Sequence, residues 1–278
     1  MIDIEVFMVA LLVSLLVLVV IVLAYVLSVS GRTNNAGVKQ LQGVAYAHRG
    51  LHNELVPENS MEAFVLAKQA GFGVELDVHL LKDGTLAVFH DGDLLRMTGR
   101  EGHITDLTGE QLKDYKLNGT EQTIPLFRDV LKMFDGKVPL IVELKADNNC
   151  ADLCAQAVKE LESYQGVYCI ESFDPRCVHW LRKNRPDIIR GQLCRNFFKT
   201  DKTKLPWILK VVLSNQLLNF LTKPDFVAYR FKDRKTISNW IARKIWKLQG
   251  VSWTIRSKEE YDAALTEGWI PIFEGFMP

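Results

Sequence analysis

Several things that would classify this chain at once are missing from it. Lysine and arginine total 34 against 33 aspartates and glutamates, so there is no basic field to hold nucleic acid and no acidic tail to keep a segment disordered. The five cysteines, Cys150, Cys154, Cys169, Cys177 and Cys194, form no Cys-x-x-Cys pair and are odd in number. That argues against a disulfide framework. Cys150 and Cys154 share a helix face by their spacing, but nothing else of a zinc site accompanies them in the sequence. Reduced, buried thiols in a reducing compartment are the expectation. No internal repeat and no low-complexity tract occurs, which excludes solenoids and linker-like chains.

Charge is also missing locally. From position 6 to 29 every residue is uncharged and nearly all are Val, Leu, Ile, Ala, Phe, Met or Tyr. A span of about 20 apolar residues crosses a bilayer as a helix. A secretory signal would carry a basic leading region and a shorter apolar run, whereas Asp3 and Glu5 lead here. An uncleaved membrane anchor over residues 1–30 is therefore expected. Arg32 and Lys39 follow it, and by the positive-inside tendency they place the remainder in the cytoplasm. Residues 31–43 read as a polar linker and 44–278 as one catalytic domain.

In that domain strand-like and helix-like stretches alternate. Strands are expected at 44–47, 73–78, 140–145, 167–173, 188–193, 226–231, 251–255 and 270–273. Helical patterns lie at 60–70, 126–134, 151–164, 176–184, 205–221, 236–248 and 258–267. Eightfold alternation at this length predicts an α/β (β/α)8 TIM barrel. The rival, an open doubly wound sheet, would show a glycine-rich phosphate turn after its first strand, and none is present. Leu86 to Phe89 also looks like a strand, but the turn sequence Lys82-Asp83-Gly84-Thr85 precedes it. Residues 80–90 are thus expected as a hairpin over the barrel mouth, with 91–123 an irregular insertion after the second strand.

Polar groups gather where the apolar runs end. Glu75 and Asp77 are two apart, so an extended strand points both the same way. Two carboxylates aimed into a barrel repel each other and lose hydration unless a cation compensates. A hard divalent ion, Ca²⁺ or Mg²⁺, does so, and Glu143 on a neighbouring strand offers a third oxygen ligand. The competing reading is a structural ion pair with Lys145 or Arg49. His48 and His90 stand at strand ends beside this cluster, a placement suited to a general acid and a general base. Zinc ligation is disfavoured by the oxygen-rich surroundings. His52, His79, His103 and His179 are expected to be surface or structural. Arg49 offers a planar fork and Lys145 a point charge to an anionic substrate. Glu58 is a candidate either for holding the site's ligands by an outer hydrogen bond or for binding the metal itself, and Asn59 or Ser60 should cap the helix that follows. Residues 205–221, flanked by Phe197, Phe198, Lys199, Lys202, Lys204 and Lys210, fit either a helix packed on the barrel, which is favoured, or an element lying on the bilayer.

The ordered set His48-Arg49-Gly50, Glu58-Asn59, Glu75-Leu76-Asp77, His90-Asp91, Glu143-Leu144-Lys145, Ser172-Phe173 and Trp253-Thr254 resembles the glycerophosphodiester phosphodiesterase family. The likeness runs from about Val44 to Pro278. It implies a (β/α)8 barrel with an insertion after the second strand. It also implies His48 and His90 as the acid/base pair and Ca²⁺ or Mg²⁺ on Glu75, Asp77 and Glu143. Substrate contacts would come from Arg49, Lys145, Glu58, Phe173 and Trp253. The implied reaction is metal-dependent hydrolysis of a phosphodiester to glycerol 3-phosphate, or a related monoester, and an alcohol. Water and the substrate's own 2-hydroxyl both stand as nucleophiles. Many relatives end in Thr-Asp-x-Pro, whereas this chain ends Phe273-Glu274-Gly275-Phe276-Met277-Pro278. That leaves the alcohol-side contacts open, and the anchor points to a lipid-derived or lyso-lipid substrate. The alternatives are a phospholipase C- or D-type lipid phosphodiesterase and an inert, membrane-tethered phosphodiester-binding protein. Besides the substrate and the membrane, no nucleic acid is expected as a partner.

Overall fold

The computed structural model describes residues 4–33, 35–146, 149–199 and 205–278. Asp3, Lys202 and Lys204 lie outside the described residues. Helix α1 (Ile4–Ser28) has 25 residues, none of them buried. At 1.5 Å per residue it exceeds the roughly 30 Å hydrocarbon thickness of a bilayer. By length and composition it is able to cross a membrane.

Eight parallel strands close on themselves: β1 (Tyr46–His48), β2 (Gly73–Leu80), β4 (Leu140–Leu144), β5 (Tyr168–Ser172), β6 (Arg190–Cys194), β7 (Phe226–Arg230), β8 (Gln249–Ile255) and β9 (Trp269–Phe273). Closure comes from β1 pairing with both β2 and β9. The short β3 (Leu86–Val88) runs antiparallel to β2, with Val78 opposite Val88. This is the expected hairpin, not a ninth barrel strand. The fold is the (β/α)8 barrel that the alternation called for.

Strand alternation sorts the side chains. On β2, Val74, Leu76 and Val78 pack outward with Phe64, Phe127, Phe134 and Val142 in the layer between strands and helices. Their neighbours Glu75 and Asp77 consequently face the barrel axis. Lower in the barrel the axis is filled by Tyr46, Ile141, Cys169, Phe226, Ala228, Val251, Ile270 and Ile272. A packed floor leaves only the carboxyl ends of the strands free for polar groups. The insertion has its own small core, Leu94, Met97, Ile104, Leu107, Leu112 and Leu117. It carries helix α3 (Leu95–Thr98) and two short 3-10 turns.

Around the barrel stand α2 (Met61–Gln69), α4 (Phe127–Phe134), α5 (Cys150–Leu161), α6 (Pro175–Asn184), α7 (Trp207–Ser214), α8 (Asn219–Thr222), α9 (Ile237–Trp240) and α10 (Lys258–Thr266). The expected helix at 205–221 is interrupted, and α7 buries only Ser214. Leu205 and Leu213 pack against the barrel's outer core, as the favoured reading expects, while Trp207, Ile208 and Leu209 stay exposed. Cys177, at the start of α6, meets Cys150 and Cys154 of α5, so tertiary packing supplies a third thiol that spacing did not reveal.

The segment between α1 and the barrel is packed, not free. Residues Ala36–Leu41 form a 3-10 helix, and its Val38 and Leu41 join the apolar floor. Arg32 grips Asp225 with both arms of its guanidinium, Nε to Oδ1 at 2.5 Å and NH2 to Oδ2 at 2.6 Å. Asp225 is 2% exposed and also accepts from the Arg190 amide. Removing one partner of such a pair leaves the other charge without compensation. Asp225→Ala should lower the unfolding free energy by about 3 kcal/mol or more. The readout is the denaturant midpoint of the detergent-solubilised chain at unchanged slope. A loss under about 1 kcal/mol would mean that the pair behaves like an exposed one.

Candidate active site

Register brings the acidic groups together. Asp77 on β2 lies opposite Glu143 on β4, and Glu143 lies opposite Glu171 on β5. On the other flank His48 of β1 lies opposite Glu75. A slip of one residue in any of these pairings would send the carboxylate to the outer face. Ligand oxygens of Glu75, Asp77 and Glu143 all fall within 4.8 Å of one another. The four carboxylates are 1–6% exposed.

Their charges are only partly matched. Lys145 Nζ lies 2.8 Å from Asp77 Oδ1 and 2.7 Å from Glu143 Oε1. Arg49 Nε lies 3.4 Å from Asp77 Oδ2, while its NH1 donates to Glu58 Oε1 at 2.8 Å. The structural ion pairs weighed from sequence are therefore real, yet they satisfy Asp77 and Glu143 and leave Glu75. Glu75 Oε2 accepts from the Arg49 backbone N–H at 3.1 Å and has the His48 ring 3.9 Å away. Glu171 Oε2 finds no hydrogen-bond partner among the described residues.

Protonation follows. Burial pushes Glu75 well above its ordinary range, with Asp77 and Glu143 adding to the rise. Burial raises Glu143 too, and raises Glu171, which also feels Glu143. Burial opposes ionisation of Asp77 as well, but Lys145, His90 and Arg49 outweigh it and hold Asp77 well below its usual value. Four buried acids facing two direct cations leave a deficit of positive charge. A hard divalent ion on Glu75, Asp77 and Glu143 fits this donor set.

Both histidines stand on carboxylates. His48 Nδ1 makes a short hydrogen bond to Glu274 Oε2, and Glu274 Oε1 takes Arg256 NH2 at 2.7 Å. Burial lowers His48 to about 4 in spite of Glu274, so the ring is neutral near pH 7. His90 Nδ1 meets Asp91 Oδ1 at 2.7 Å. Arg96 then links Asp91 to Glu58, with Nε 2.5 Å from Asp91 Oδ2 and NH2 2.6 Å from Glu58 Oε1. Glu58 thus joins Arg49 to the His90 side of the cleft and is not in the cluster of Glu75, Asp77 and Glu143. With Nδ1 of each ring on a carboxylate, Nε2 is the nitrogen left for chemistry.

The turn after β1 is built from two residues in the left-handed region, Arg49 at φ 56° and Gly50 at φ 79°. A side chain on Gly50 would stand 2.9 Å from Ala63 and Phe64. Asn59 Nδ2 donates to Asp77 Oδ2 at 2.8 Å, while Ser60 caps α2 through the Ala63 amide. The expected choice of cap is thereby settled for Ser60. His48, Arg49, Glu75, His90, Glu143, Glu171, Phe173, Arg195 and Trp253 border one cleft. Phe173 meets Trp253 edge-on at 5.6 Å, and Arg195 stacks on Phe173 at 5.5 Å. Lys145, bonded to the carboxylates, borders a neighbouring cavity with Leu80, Leu81 and Lys82. Of the histidines set aside from sequence, His79 Nε2 reaches the His90 carbonyl at 3.3 Å. His52 offers a ring nitrogen within 4.8 Å of a His48 ring nitrogen and a Glu274 carboxylate oxygen.

Glu171, Glu274, Asp91 as a partner of His90, Arg96 and Arg195 were not assigned roles from sequence. A charged residue inside the apolar run 167–173 was the available signal for Glu171. For Arg96 and Arg195 no sequence signal exists, because loops place them.

Residues 48–273 match the sequence model of the "Glycerophosphoryl diester phosphodiesterase family". A "Glycerophosphodiester phosphodiesterase" of Bacillus altitudinis is 39% identical over 112 residues, covering 37% of this chain and 45% of that protein. One from Caldanaerobacter subterraneus is 32% identical over 165 residues, 55% of this chain and 67% of that one. The matches thus span about half to two thirds of these curated relatives. In structure, an Oleispira antarctica phosphodiesterase solved with the product sn-glycerol-3-phosphate superposes with a TM-score of 0.67 at 22% identity, covering 83% of this chain and 92% of that one. At that identity the likeness shows the fold.

The raised acids have a consequence for stability. Glu75, Glu143 and Glu171 are protonated in the folded chain at pH values where the unfolded chain has ionised them. What they contribute is complete below about pH 4.3 and is lost as pH rises toward their folded values. In chelator the melting temperature should fall over that range, and Ca²⁺ or Mg²⁺ should restore it by compensating the charge. Glu75→Gln should flatten the fall and shrink the divalent-induced rise. An equal rise in both proteins would take Glu75 out of the ion site.

Proposed function

The chain belongs to the glycerophosphoryl diester phosphodiesterase family, and on that premise we propose that it hydrolyses glycerophosphodiesters to glycerol 3-phosphate and an alcohol. The observation that carries this reading is the pairing of two carboxylate-held histidines with a charge-deficient acidic cluster in one cleft. Glu75, Asp77 and Glu143 would hold the divalent ion. When bound, it supplies positive charge to a phosphoryl oxygen and so favours the charge that develops there. Arg49 and Lys145, already between carboxylates, orient the phosphate beside it. One imidazole Nε2 takes the proton of the nucleophile and the other delivers a proton to the leaving oxygen. Glu274 and Asp91 act as positioning residues that fix which ring nitrogen faces the substrate. Phe173 and Trp253 wall the alcohol side.

The buried Trp253 Nε1, without a hydrogen-bond partner among the described residues, offers a donor there. A second reading, a lysophospholipid substrate, is favoured by apolar continuity. Phe173 and Leu193 border the cleft and also a depression lined by Val212, Leu213 and Leu218 near α7 and α8. Included in the proposal are an anchor over residues 1–30 and a catalytic unit over 44–278. Cytoplasmic placement rests on Arg32 and Lys39, and of these Arg32 is already bound to Asp225.

Turnover of glycerophosphocholine, a lysophospholipid and intact phospholipid, run side by side with Ca²⁺, Mg²⁺ and Mn²⁺, decides among substrates. Inertness on all three with binding retained would instead make the chain a tethered binding protein. His48→Ala and His90→Ala should each lower kcat by on the order of 10²–10⁴ with KM nearly unchanged. Glu274→Gln should cost about 10–100-fold and shift the pH profile, since it acts through His48. Near-full activity in either histidine variant removes that ring from the acid/base pair.

A further inference from the structure

Outside α1, most of the large exposed apolar side chains sit on three neighbouring elements, not scattered over the barrel. They are Trp207, Ile208 and Leu209 of α7, Phe220 and Leu221 of α8, and Ile237 and Trp240 of α9, followed by Ile245. Trp207 is 69% exposed, Ile237 71% and Trp240 59%. In the eight-residue helix Trp-Ile-Leu-Lys-Val-Val-Leu-Ser the later turn is half-buried, with Leu213 against the core, while the leading Trp207, Ile208 and Leu209 stay exposed. Scattered apolar residues are ordinary on a soluble surface, but a contiguous apolar face marks a contact.

What covers this face is indicated by the helix that rises from it. Tyr25 of α1 donates to Asn215 at the end of α7 and lies within hydrogen-bond reach of Ser238 on α9. Trp246, just past α9, donates from its ring to the Val26 carbonyl at 2.8 Å. Lys223, after α8, donates to Ser30. Gln216 and Asn239 tie the two helical regions together at 2.6 Å. The foot of α1 is therefore wedged between α7–α8 on one side and α9 on the other. From Val6 to Ala24 the same helix is exposed throughout and, Ser14 apart, apolar. Whatever apolar medium receives α1 begins beside these tryptophans. Tryptophan favours the boundary between headgroups and acyl chains. The exposed Lys244 and Lys247 at the end of the α9 region match anionic headgroups there.

We propose that this face is seated on the phospholipid bilayer that α1 crosses, with Trp207, Ile208, Phe220, Ile237 and Trp240 in the headgroup–acyl boundary. The barrel is thus held against the membrane surface at two places, a spanning helix and an interfacial face, and not hung from a flexible tether. The proposal rests on the anchor reading given above.

The test uses the full chain in vesicles of phosphatidylcholine and phosphatidylglycerol, brominated near either the glycerol end or the methyl end of the acyl chains. Helix α1 contains no tryptophan, so quenching reports on the barrel. The chain should float with the vesicles, and its emission should be quenched more by the shallow bromines than by the deep ones. Trp207→Phe and Trp240→Phe keep the face apolar, and each should remove part of the quenched emission. If the chain floats but both substitutions remove only unquenched emission, the anchor stands and the docking is wrong. The face is then covered by something else, such as a second copy. Failure to float overturns the anchor and the docking together.

Discussion

Everything at the mouth of this barrel depends on carboxylates being buried where they repel. Glu75, Asp77, Glu143 and Glu171 are set by strand register on three adjoining strands, with two cations among them. Apolar packing of the outer strand faces and of the floor fixes those strands, so the acids have no room to splay apart. The repulsion is a cost that folding carries at the site. The same cluster of oxygen donors is the kind of setting that a hard divalent ion fits.

The surrounding polar groups form a second arrangement that keeps this cluster in order. Asn59 donates to Asp77, and Glu58 lies between Arg49 and Arg96. Arg96 in turn holds Asp91 against His90. On the opposite side Arg256 and Glu274 hold His48. Each imidazole therefore has one nitrogen committed to a carboxylate, which narrows its tautomer and its direction. The two histidines differ in setting: His48 is buried at the end of β1 and lowered to about 4 by burial, while the His90 side chain is 31% exposed at the end of the hairpin.

Far from this mouth, the floor is closed by the chain that leaves α1. Val38 and Leu41 fill it, and Arg32 locks to Asp225 at the entry to β7. Helix α1 is thus continuous with the barrel's packing. The apolar face of α7, α8 and α9 stands where the helix departs.

Much of this was legible in the order of residues. Eight alternating strand and helix patterns predicted the barrel because a parallel strand must return through a crossover. The hairpin over residues 80–90 was readable because Asp83-Gly84 fits a tight turn and little else. His48, Glu75, Asp77, His90 and Glu143 could be picked out because polar groups at the ends of apolar runs have few structural uses. The pairing of those groups was not legible. That Lys145 bridges Asp77 and Glu143, that Glu274 from the last strand's end holds His48 across 226 positions, and that Arg96 from the insertion reaches Glu58 are facts of closure and loop path. That the leading turn of α7 is left bare while α1 wedges beside it depends on helix packing angles. Periodicity specifies which face of a segment is apolar, because it is a local property of the backbone. Which distant segment meets that face, or whether none does, is decided only when the barrel closes.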